Sequence, residues 1–187
     1  MAKLIYVTPT SLDGYIADES MSPDWSTPDD EGFAFIKDLL RPIGTYLYGR
    51  KTYETMAIWQ TPDAIPGLPP TMLDFGQIWQ AADKIVYSST LEAVSTPKTR
   101  LEREFDPKAV RELKTQWPHD VSVGGPTLAA HAIRAGLVDE YHLLVMPMMI
   151  GRGRRILPSD VWIKLDLLDE RRFGNGMLYL RYRSSGS

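Results

Sequence analysis

The chain has 187 residues, of which 43% are hydrophobic, and this size and composition are typical of one globular domain with a substantial core. Its 21 basic and 24 acidic residues leave a net charge of −3, which argues against nucleic-acid binding because that function usually requires a basic surface. It has no cysteine, so disulfides, zinc–thiolate sites and cysteine nucleophiles are excluded, and its three scattered histidines predict no metal site.

The N-terminal segment predicts neither secretion nor membrane insertion. Its apolar run is short, it lacks the organisation of a signal peptide, and Asp13 follows early. No stretch approaches the roughly 20 apolar residues that a membrane helix needs. We therefore expect a cytoplasmic protein without a membrane partner, folded as a single domain over 1–187, with a disordered polar tail at 184–187.

In chain order, the sequence predicts strands that alternate with helices. The first strand covers 3–7, and a long loop rich in Pro, Ser, Asp and Gly follows over 8–27. The next helix is expected to have Thr27 as its N-cap and Pro28 in its first position, and a helical stripe extends to Leu40. Further strands are predicted at 45–48, 84–87, 100–105, 121–123, 140–146, 165–173 and 177–183, and further helices at 49–59, 72–82, 106–117 and 127–135.

This order of elements predicts an α/β protein. Strands separated by helices favour a mostly parallel central sheet with helices on its faces. Gly174-Asn175-Gly176 lies between the last two strands and is typical of an antiparallel hairpin.

Three predicted strand-to-helix junctions carry residues suited to phosphate. Gly49, Arg50, Lys51 and Thr52 open one helix, where unpaired N–H groups favour an anion; the alternative is a plain basic helix start. Ser88 and Ser89 follow a second strand as hydroxyls for a ribose or its phosphate, or simply as a turn. At the third junction Gly124 and Gly125 permit close approach of a pyrophosphate and Thr127 can bond it; a tight turn is the alternative. These junctions share the carboxyl ends of predicted parallel strands, where open α/β sheets bind ligands.

Two common motifs are absent from the sequence. The stretch Gly151-Arg152-Gly153 begins like a dinucleotide fingerprint but lacks its third glycine, so a standard Rossmann dehydrogenase is disfavoured. The serine nucleophile elbow G-x-S-x-G is missing as well.

The motifs Ser11–Ala17, Asp24-Trp25, Tyr48–Glu54, Val123–Gly125 and Pro147–Gly153 occur in an order that resembles the dihydrofolate reductase superfamily. The likeness is closest to its riboflavin-biosynthesis branch, the C-terminal reductase domain of bifunctional deaminase-reductases and their stand-alone relatives. The resemblance implies a three-layer dihydrofolate-reductase-like fold, NADPH as cofactor, and a homodimer. The sequence departs from folate enzymes at Asp24-Trp25 and at Leu128–Ala130, and these departures argue against dihydrofolate as the substrate.

The resemblance also implies roles for individual residues. The helix start at Gly49–Thr52 resembles the phosphate-binding segment, and Ser88 and Ser89 resemble the contacts of the adenosine 2′-phosphate and ribose. Gly124 and Gly125 resemble the glycine pair that packs on the nicotinamide and pyrophosphate, often with a cis peptide between them. The residues that fall where the family lines the nicotinamide pocket are Pro9, Ile16 and Ala17.

At the substrate end, Asp30 lies five residues beyond Trp25, where folate reductases have the carboxylate that supports protonation. Asp29 and Glu31 are alternatives, and a first-turn carboxylate also suits the helix dipole. Trp25 and Phe33 are interpreted as substrate-pocket residues or as core, and Asp13 as a residue that bonds loop backbone before Gly14.

The sequence therefore predicts an NADPH-dependent reductase that transfers hydride to a pterin-like or aminopyrimidine–ribose molecule. One alternative is an NADPH-binding domain or sensor without turnover, since it would share every cofactor motif. Another is an unrelated α/β protein, against which the ordered motifs argue.

Overall fold

The computed structural model of the protein describes residues 1–17, 25 and 28–185. An eight-stranded sheet has the order β5-β4-β3-β6-β1-β7-β10-β9, and a separate two-stranded ribbon joins β2 to β8. The strands are β1 (Leu4–Ser11), β2 (Tyr15–Ala17), β3 (Ile43–Gly49), β4 (Asp83–Tyr87), β5 (Thr99–Glu102), β6 (Asp120–Gly124), β7 (Glu140–Met146), β8 (Arg154–Arg155), β9 (Leu165–Arg172) and β10 (Leu178–Ser184).

Helices lie between most of the parallel strands. They are α1 (Asp30–Leu40), α2 (Arg50–Met56), α3 (Pro70–Ala81), α4 (Pro107–Gln116) and α5 (Pro126–Arg134), with 3₁₀ turns at Ala57–Gln60 and Pro62–Ala64. Proline occupies the first position of α3, α4 and α5, where its missing N–H is not needed and its fixed φ suits a helix start.

The six strands from β5 to β7 are parallel, and β10 and β9 add an antiparallel hairpin. On one face the core joins α4 and α5 to Leu4, Tyr6 and Val123, and on the other it joins α1 and α3 to Ile5 and Tyr48. Helix, sheet and helix therefore form three layers, and the predicted fold class is confirmed.

The first strand is longer than its sequence predicts. It continues from Val7 to Ser11 because Thr8 to Ser11 pair with Leu143 to Met146 of β7. The predicted loop over 8–27 is therefore wrong at its start, where threonine, a good strand former, alternates with proline and serine. The ribbon β2–β8 was not predicted, since β8 is only two residues long and its partner is distant in sequence.

The start of the first helix also differs from the prediction. Asp29 is the N-cap, and its carboxylate accepts a hydrogen bond from the Gly32 amide at 2.9 Å. Pro28 therefore precedes the helix, and the predicted cap Thr27 lies outside the described residues. A carboxylate next to the first turn competes well with a threonine hydroxyl for the N-cap role.

The polar tail is ordered at its beginning. Ser184 is the last residue of β10, and the amide of Ser185 donates to the Lys164 carbonyl at 2.9 Å. The expected disorder is thus wrong for these two residues, because a polar side chain does not prevent strand pairing when a partner backbone is present. Residues 186–187 lie outside the described part.

A buried ionic network lies where β7 begins. Glu140 accepts hydrogen bonds from Lys3 at 2.7 Å, from Arg181 at 2.9 Å and from His142 Nε2 at 3.0 Å. Burial alone would raise the pKa of Glu140, but the bonds from Arg181, Lys3 and His142 together lower that pKa to about 2. Burial lowers the pKa of His142 despite the nearby carboxylate. The imidazole is therefore neutral, and its Nδ1 accepts from the Tyr179 hydroxyl at 2.9 Å.

Candidate cofactor site

A cavity of about 680 Å³ opens at the carboxyl ends of β3, β4, β5 and β6. All three predicted junctions line it, and they bring basic, hydroxyl and aromatic side chains together. The lining residues are Gly49, Arg50, Lys51, Thr52, Glu54, Tyr87, Ser88, Ser89, Thr90, Arg103, Phe105, Gly124, Gly125, Pro126, Thr127, Leu128, His131 and Arg154. The side chains that carry charge are mostly cationic, so the cavity suits an anionic ligand.

The first junction, Gly49–Thr52, places the Arg50 guanidinium beside the second junction. Gly49 ends β3 and Arg50 begins α2 without a side-chain cap. The Arg50 Nε donates to Glu54 at 2.7 Å, and its Nη1 donates to the Thr90 hydroxyl at 3.1 Å. The guanidinium thus lies between α2 and the turn after β4, about half exposed to solvent.

The second junction was predicted as a strand-to-helix junction, but it leads from β4 to β5 without a helix and is a turn held by the Ser88 hydroxyl. Ser88 Oγ accepts from the amides of Thr90 and Leu91 at 3.2 and 3.0 Å. Arg103, which follows β5, donates to the Leu91 carbonyl at 2.6 Å. The turn role weighed against ribose binding is therefore present, and it holds the serine hydroxyls at the cavity wall.

The third junction needs glycine for close packing. A Cβ at Gly124 would lie 2.7 Å from the ring of Tyr48. Gly125 has φ +88, and a Cβ there would overlap the Thr52 hydroxyl. The two glycines therefore let β6 approach β3 and α2. None of the described peptide bonds is cis, so the cis peptide implied for this pair is absent and its bond is trans.

Aromatic side chains form one wall of the cavity, and the sequence analysis missed them. Phe105 packs edge-on against Tyr87, with ring centroids 5.2 Å apart, and lies 6.2 Å from the ring of His131. Burial raises the pKa of Tyr87 to about 12, so its hydroxyl remains protonated. One signal was available: His131 lies four residues after Thr127, on the same face of a helix that begins at the third junction.

Two arginines of the cavity were also missed. Arg103 lies just beyond the weak strand β5, and Arg154 lies in the two-residue strand β8. Arg154 Nη1 donates to the Thr127 hydroxyl at 3.0 Å. Arg103 falls inside the strand predicted over 100–105 and Arg154 lies outside every predicted strand and helix, so the three junction motifs do not single them out.

The residues predicted for the nicotinamide and substrate are not among those that line this cavity. Pro9 lies in β1 beside Leu144, and Ile16 and Ala17 lie in β2. Ala17 is paired with Arg154, so the ribbon that carries Ile16 and Ala17 adjoins the cavity through that residue.

The aromatic residues predicted for the substrate pack against core. Trp25 packs against the cluster that contains Leu144 and Tyr179, and its buried indole N–H has no hydrogen-bond partner among the described residues. Phe33 packs against Trp59 and Phe75, with ring centroids 6.4 and 5.9 Å away. Trp25 and Phe33 therefore contact core residues, as their alternative interpretation expects.

The three acidic residues at the start of α1 differ in their contacts. Asp29 caps the helix, and Glu31 pairs with Arg171 at 2.8 Å. Asp30 is exposed in the first turn. Asp13 has the backbone role expected of it, since its carboxylate accepts from the amides of Ile150 and Gly151.

Comparison with known proteins gives a family match over almost the whole chain. The model of the RibD C-terminal domain family matches residues 2–179. The protein YyaP of Bacillus subtilis is 27% identical over 187 residues, which cover 98% of this chain and 96% of YyaP.

Solved structures share the fold at low sequence identity. A protein of Shewanella sp. PV-4 that is named for riboflavin biosynthesis is 18% identical, with a TM-score of 0.74 and 99% of both chains covered. A deaminase/5-amino-6-(5-phosphoribosylamino)uracil reductase of Thermotoga maritima is 17% identical, with a TM-score of 0.69. The alignment covers 98% of this chain and 57% of that protein. Dihydrofolate reductase of Enterococcus faecalis, complexed with NADP(H), is 14% identical, with a TM-score of 0.64. The alignment covers 98% of this chain and 96% of that enzyme.

Within the described residues, no helix combines the length and apolar character that crossing a membrane requires.

Proposed function

From the premise that the chain belongs to the RibD C-terminal domain family, we propose that it is an NADPH-dependent reductase of the cytoplasm. One observation carries the proposal: three junctions that are far apart in sequence line one cationic cavity of about 680 Å³. This volume falls within the range of small-molecule and cofactor sites.

The cavity suits a long phosphorylated ligand. Apart from Arg154, its lining residues follow four adjacent parallel strands, from β5 to β6, and neighbouring strands lie about 4.8 Å apart. At the outer end, Arg50, Ser88 and Ser89 would bind the 2′-phosphate, and Phe105 offers a ring face for the adenine. Because NADH lacks the 2′-phosphate, these contacts favour NADPH.

Nearer to β1, the remaining junction residues would hold the pyrophosphate and point the nicotinamide toward the ribbon. Lys51, Thr52 and Thr127 supply a cation and hydroxyls, and Gly124 and Gly125 keep the backbone close. NADPH supplies the hydride when bound; the chain's residues bind and orient it and exclude water.

The proposed substrate is a pterin-like or aminopyrimidine–ribose molecule. It would lie against the nicotinamide near Pro9, Ile16 and Ala17, with Trp25 and Phe33 as the proposed pocket residues. The exposed Asp30 is the proposed proton donor, because Asp29 and Glu31 are engaged as a cap and an ion pair. Asp30→Asn should then lower kcat and change its pH profile while leaving NADPH affinity unchanged.

The test is a titration followed by a turnover screen. The unaltered protein should melt at a higher temperature with NADPH than with equimolar NADH. It should then oxidise NADPH with a pterin or an aminopyrimidine–ribose phosphate. Equal stabilisation by both nucleotides would contradict the 2′-phosphate assignment. Tight NADPH binding without turnover on any of these compounds would favour the sensor.

We also propose a homodimer through the outer face of β7, β10 and β9. Leu178 lies beside Val145 of β7, and Leu167 lies beside Tyr182 of β10; Leu167 and Leu178 are 50% and 40% exposed. Glu170 and Arg172 share this face with Leu178, so a twofold contact can place opposite charges of two copies together.

Light scattering after gel filtration tests the dimer. The unaltered chain should elute at twice its mass of 21.1 kDa. The double variant Leu167→Asp/Leu178→Asp should be a monomer, whereas Ile58→Asp, at an exposed residue distant from this face in sequence, should remain a dimer. A monomeric unaltered chain would contradict the proposal.

A further inference from the structure

Arg154 enters the cavity from a different part of the chain than its neighbours. The other lining residues all fall between Gly49 and His131, whereas Arg154 belongs to the ribbon formed by β2 and β8. It therefore connects the cavity with the strand that carries Ile16 and Ala17, although no junction motif includes it.

The guanidinium of Arg154 is held at the inner end of the cavity. Its Nη1 donates to the Thr127 hydroxyl at 3.0 Å, which uses one of five N–H donors. Thr127 is the second residue of α5, whose N-cap Gly125 provides no side-chain hydrogen bond. The planar guanidinium thus lies beside the first turn of α5, whose leading N–H groups have no partner within a helix, and both suit the same anion.

The two ends of the cavity carry separate cations. Arg50 and Arg103 lie at the outer end, near the turn after β4, where Arg50 contacts Thr90 and Arg103 contacts Leu91. Arg154 lies by Thr127, after β6, two strands further in the sheet order. An NADP nucleotide likewise carries two separate anionic groups on its adenosine ribose, the 2′-phosphate and the pyrophosphate.

We infer that Arg154 binds the cofactor's pyrophosphate, and that this contact fixes the β2–β8 ribbon against the bound cofactor. The inference rests on the proposed function and adds a residue that the junction motifs do not contain. The guanidinium, already oriented by Thr127, offers parallel N–H donors to two phosphate oxygens. Because Arg154 is paired with Ala17, occupancy of the pyrophosphate position restrains the strand beside the reacting ring.

Nucleotide fragments separate this role from 2′-phosphate binding. The probes are NADPH, NADH and adenosine 2′-monophosphate, titrated calorimetrically into the full chain. Arg154→Ala should weaken NADPH and NADH by the same factor, about tenfold to a hundredfold, and leave adenosine 2′-monophosphate unchanged. Arg154→Lys should recover only part of the loss, because an ammonium lacks the paired donors.

The neighbouring residue provides the control. Arg155 lies in the same strand, but its guanidinium lies over the ring of Tyr15, 5.3 Å from the centroid. Arg155→Ala should therefore leave all three affinities unchanged. The melting temperature of each ligand-free variant reports its folding independently.

Each outcome decides the inference. A loss confined to NADPH and adenosine 2′-monophosphate would move Arg154 to the 2′-phosphate and overturn it. Unchanged affinities in Arg154→Ala would also overturn it while leaving the proposed function intact. An unaltered chain that binds neither dinucleotide would overturn the proposed function and this inference together.

Hydrogen exchange tests the link to the ribbon. NADPH should slow exchange in the peptide containing Tyr15–Ala17 in the unaltered chain, and this protection should be lost in Arg154→Ala even at saturating NADPH. Equal protection in both proteins would contradict the link.

Discussion

Two charged clusters lie at opposite ends of the parallel strands, and they differ in how completely the protein surrounds them. Glu140, at the start of β7, has a side chain only 6% exposed and receives bonds from three neighbouring side chains. Arg50, beyond the end of β3, is 48% exposed and contacts Glu54 and Thr90. The Glu140 cluster is therefore closed and stabilises the fold, whereas the Arg50 cluster faces an open cavity that suits a ligand.

This difference predicts where a lost charge affects stability and where it affects binding. Removing one member of a closed network leaves its partners without compensation in a poorly solvated place. Removing one cation from an open cavity leaves its partners in water, so folding changes little while anion binding suffers.

Glu140→Gln should lower the free energy of unfolding by about 3 kcal/mol, because Arg181 and Lys3 then lack their carboxylate and the His142 contact is weakened. Urea unfolding measures the change. Glu112→Gln, at an exposed residue of α4, should change it by less than about 0.5 kcal/mol. Equal effects of the two substitutions would show that enclosure of the network is unimportant.

Arg50→Ala should weaken NADPH by roughly 1.5–3 kcal/mol, the range for hydrogen bonds to charged groups, and should leave NADH affinity unchanged. Calorimetric titration measures both. The control is Arg41→Ala, which removes another exposed helical arginine with an acidic neighbour, Asp38, and should alter neither affinity. Unchanged NADPH affinity in Arg50→Ala would remove this residue from the site.

Gly125→Ala should destabilise the protein by about 2 kcal/mol, since a Cβ would meet the Thr52 hydroxyl and φ is +88. Gly67→Ala isolates the backbone cost: its φ is +71, but nothing lies within 4 Å of the added Cβ. Thermal unfolding of both variants gives the excess due to packing between β6 and α2. If Gly125→Ala were no more destabilising than Gly67→Ala, Thr52 would accommodate the added Cβ without loss of stability.

The closed network should also make the stability depend on pH. The pKa of Glu140 is about 2, below its ordinary value of 4.5, so its stabilisation is complete above pH 4.5 and is lost as pH falls toward 2. The pKa of His142 is also lowered, so the stability it contributes is likewise lost as pH falls below 6.5. The difference in unfolding free energy between the unaltered chain and Glu140→Gln should be constant above pH 7 and shrink between about pH 5 and 3. A constant difference down to pH 3 would contradict the low pKa.

Much of the fold follows from local patterns. Apolar β-branched runs marked most strands of the large sheet, and the helices predicted over 106–117 and 127–135 each begin within one residue of the observed start. The pairing of Thr8–Ser11 with β7 was missed, because threonine and serine are common in loops and only a distant strand shows which state they adopt.

The residues of the site likewise include some that local sequence predicts and others that only tertiary contacts reveal. The turn chemistry that follows a strand is a local feature, so Arg50, Ser88 and Gly124 were predicted from sequence, and the structure brings them to one cavity. Phe105, Arg103 and Arg154 were missed because each reaches the cavity from an element whose position depends on the sheet order. The roles of Asp30, Trp25 and Phe33 remain predictions.

By itself, the sequence determined the alternation of strands and helices and the polar and glycine residues of three candidate phosphate-binding junctions, because periodicity and turn chemistry act over a few residues. Only the tertiary structure decided that β3, β4 and β6 are neighbours, that Arg154 meets Thr127, and that Glu140 is enclosed. Those contacts join residues far apart in the chain, and they form because the sheet buries its faces between two layers of helices.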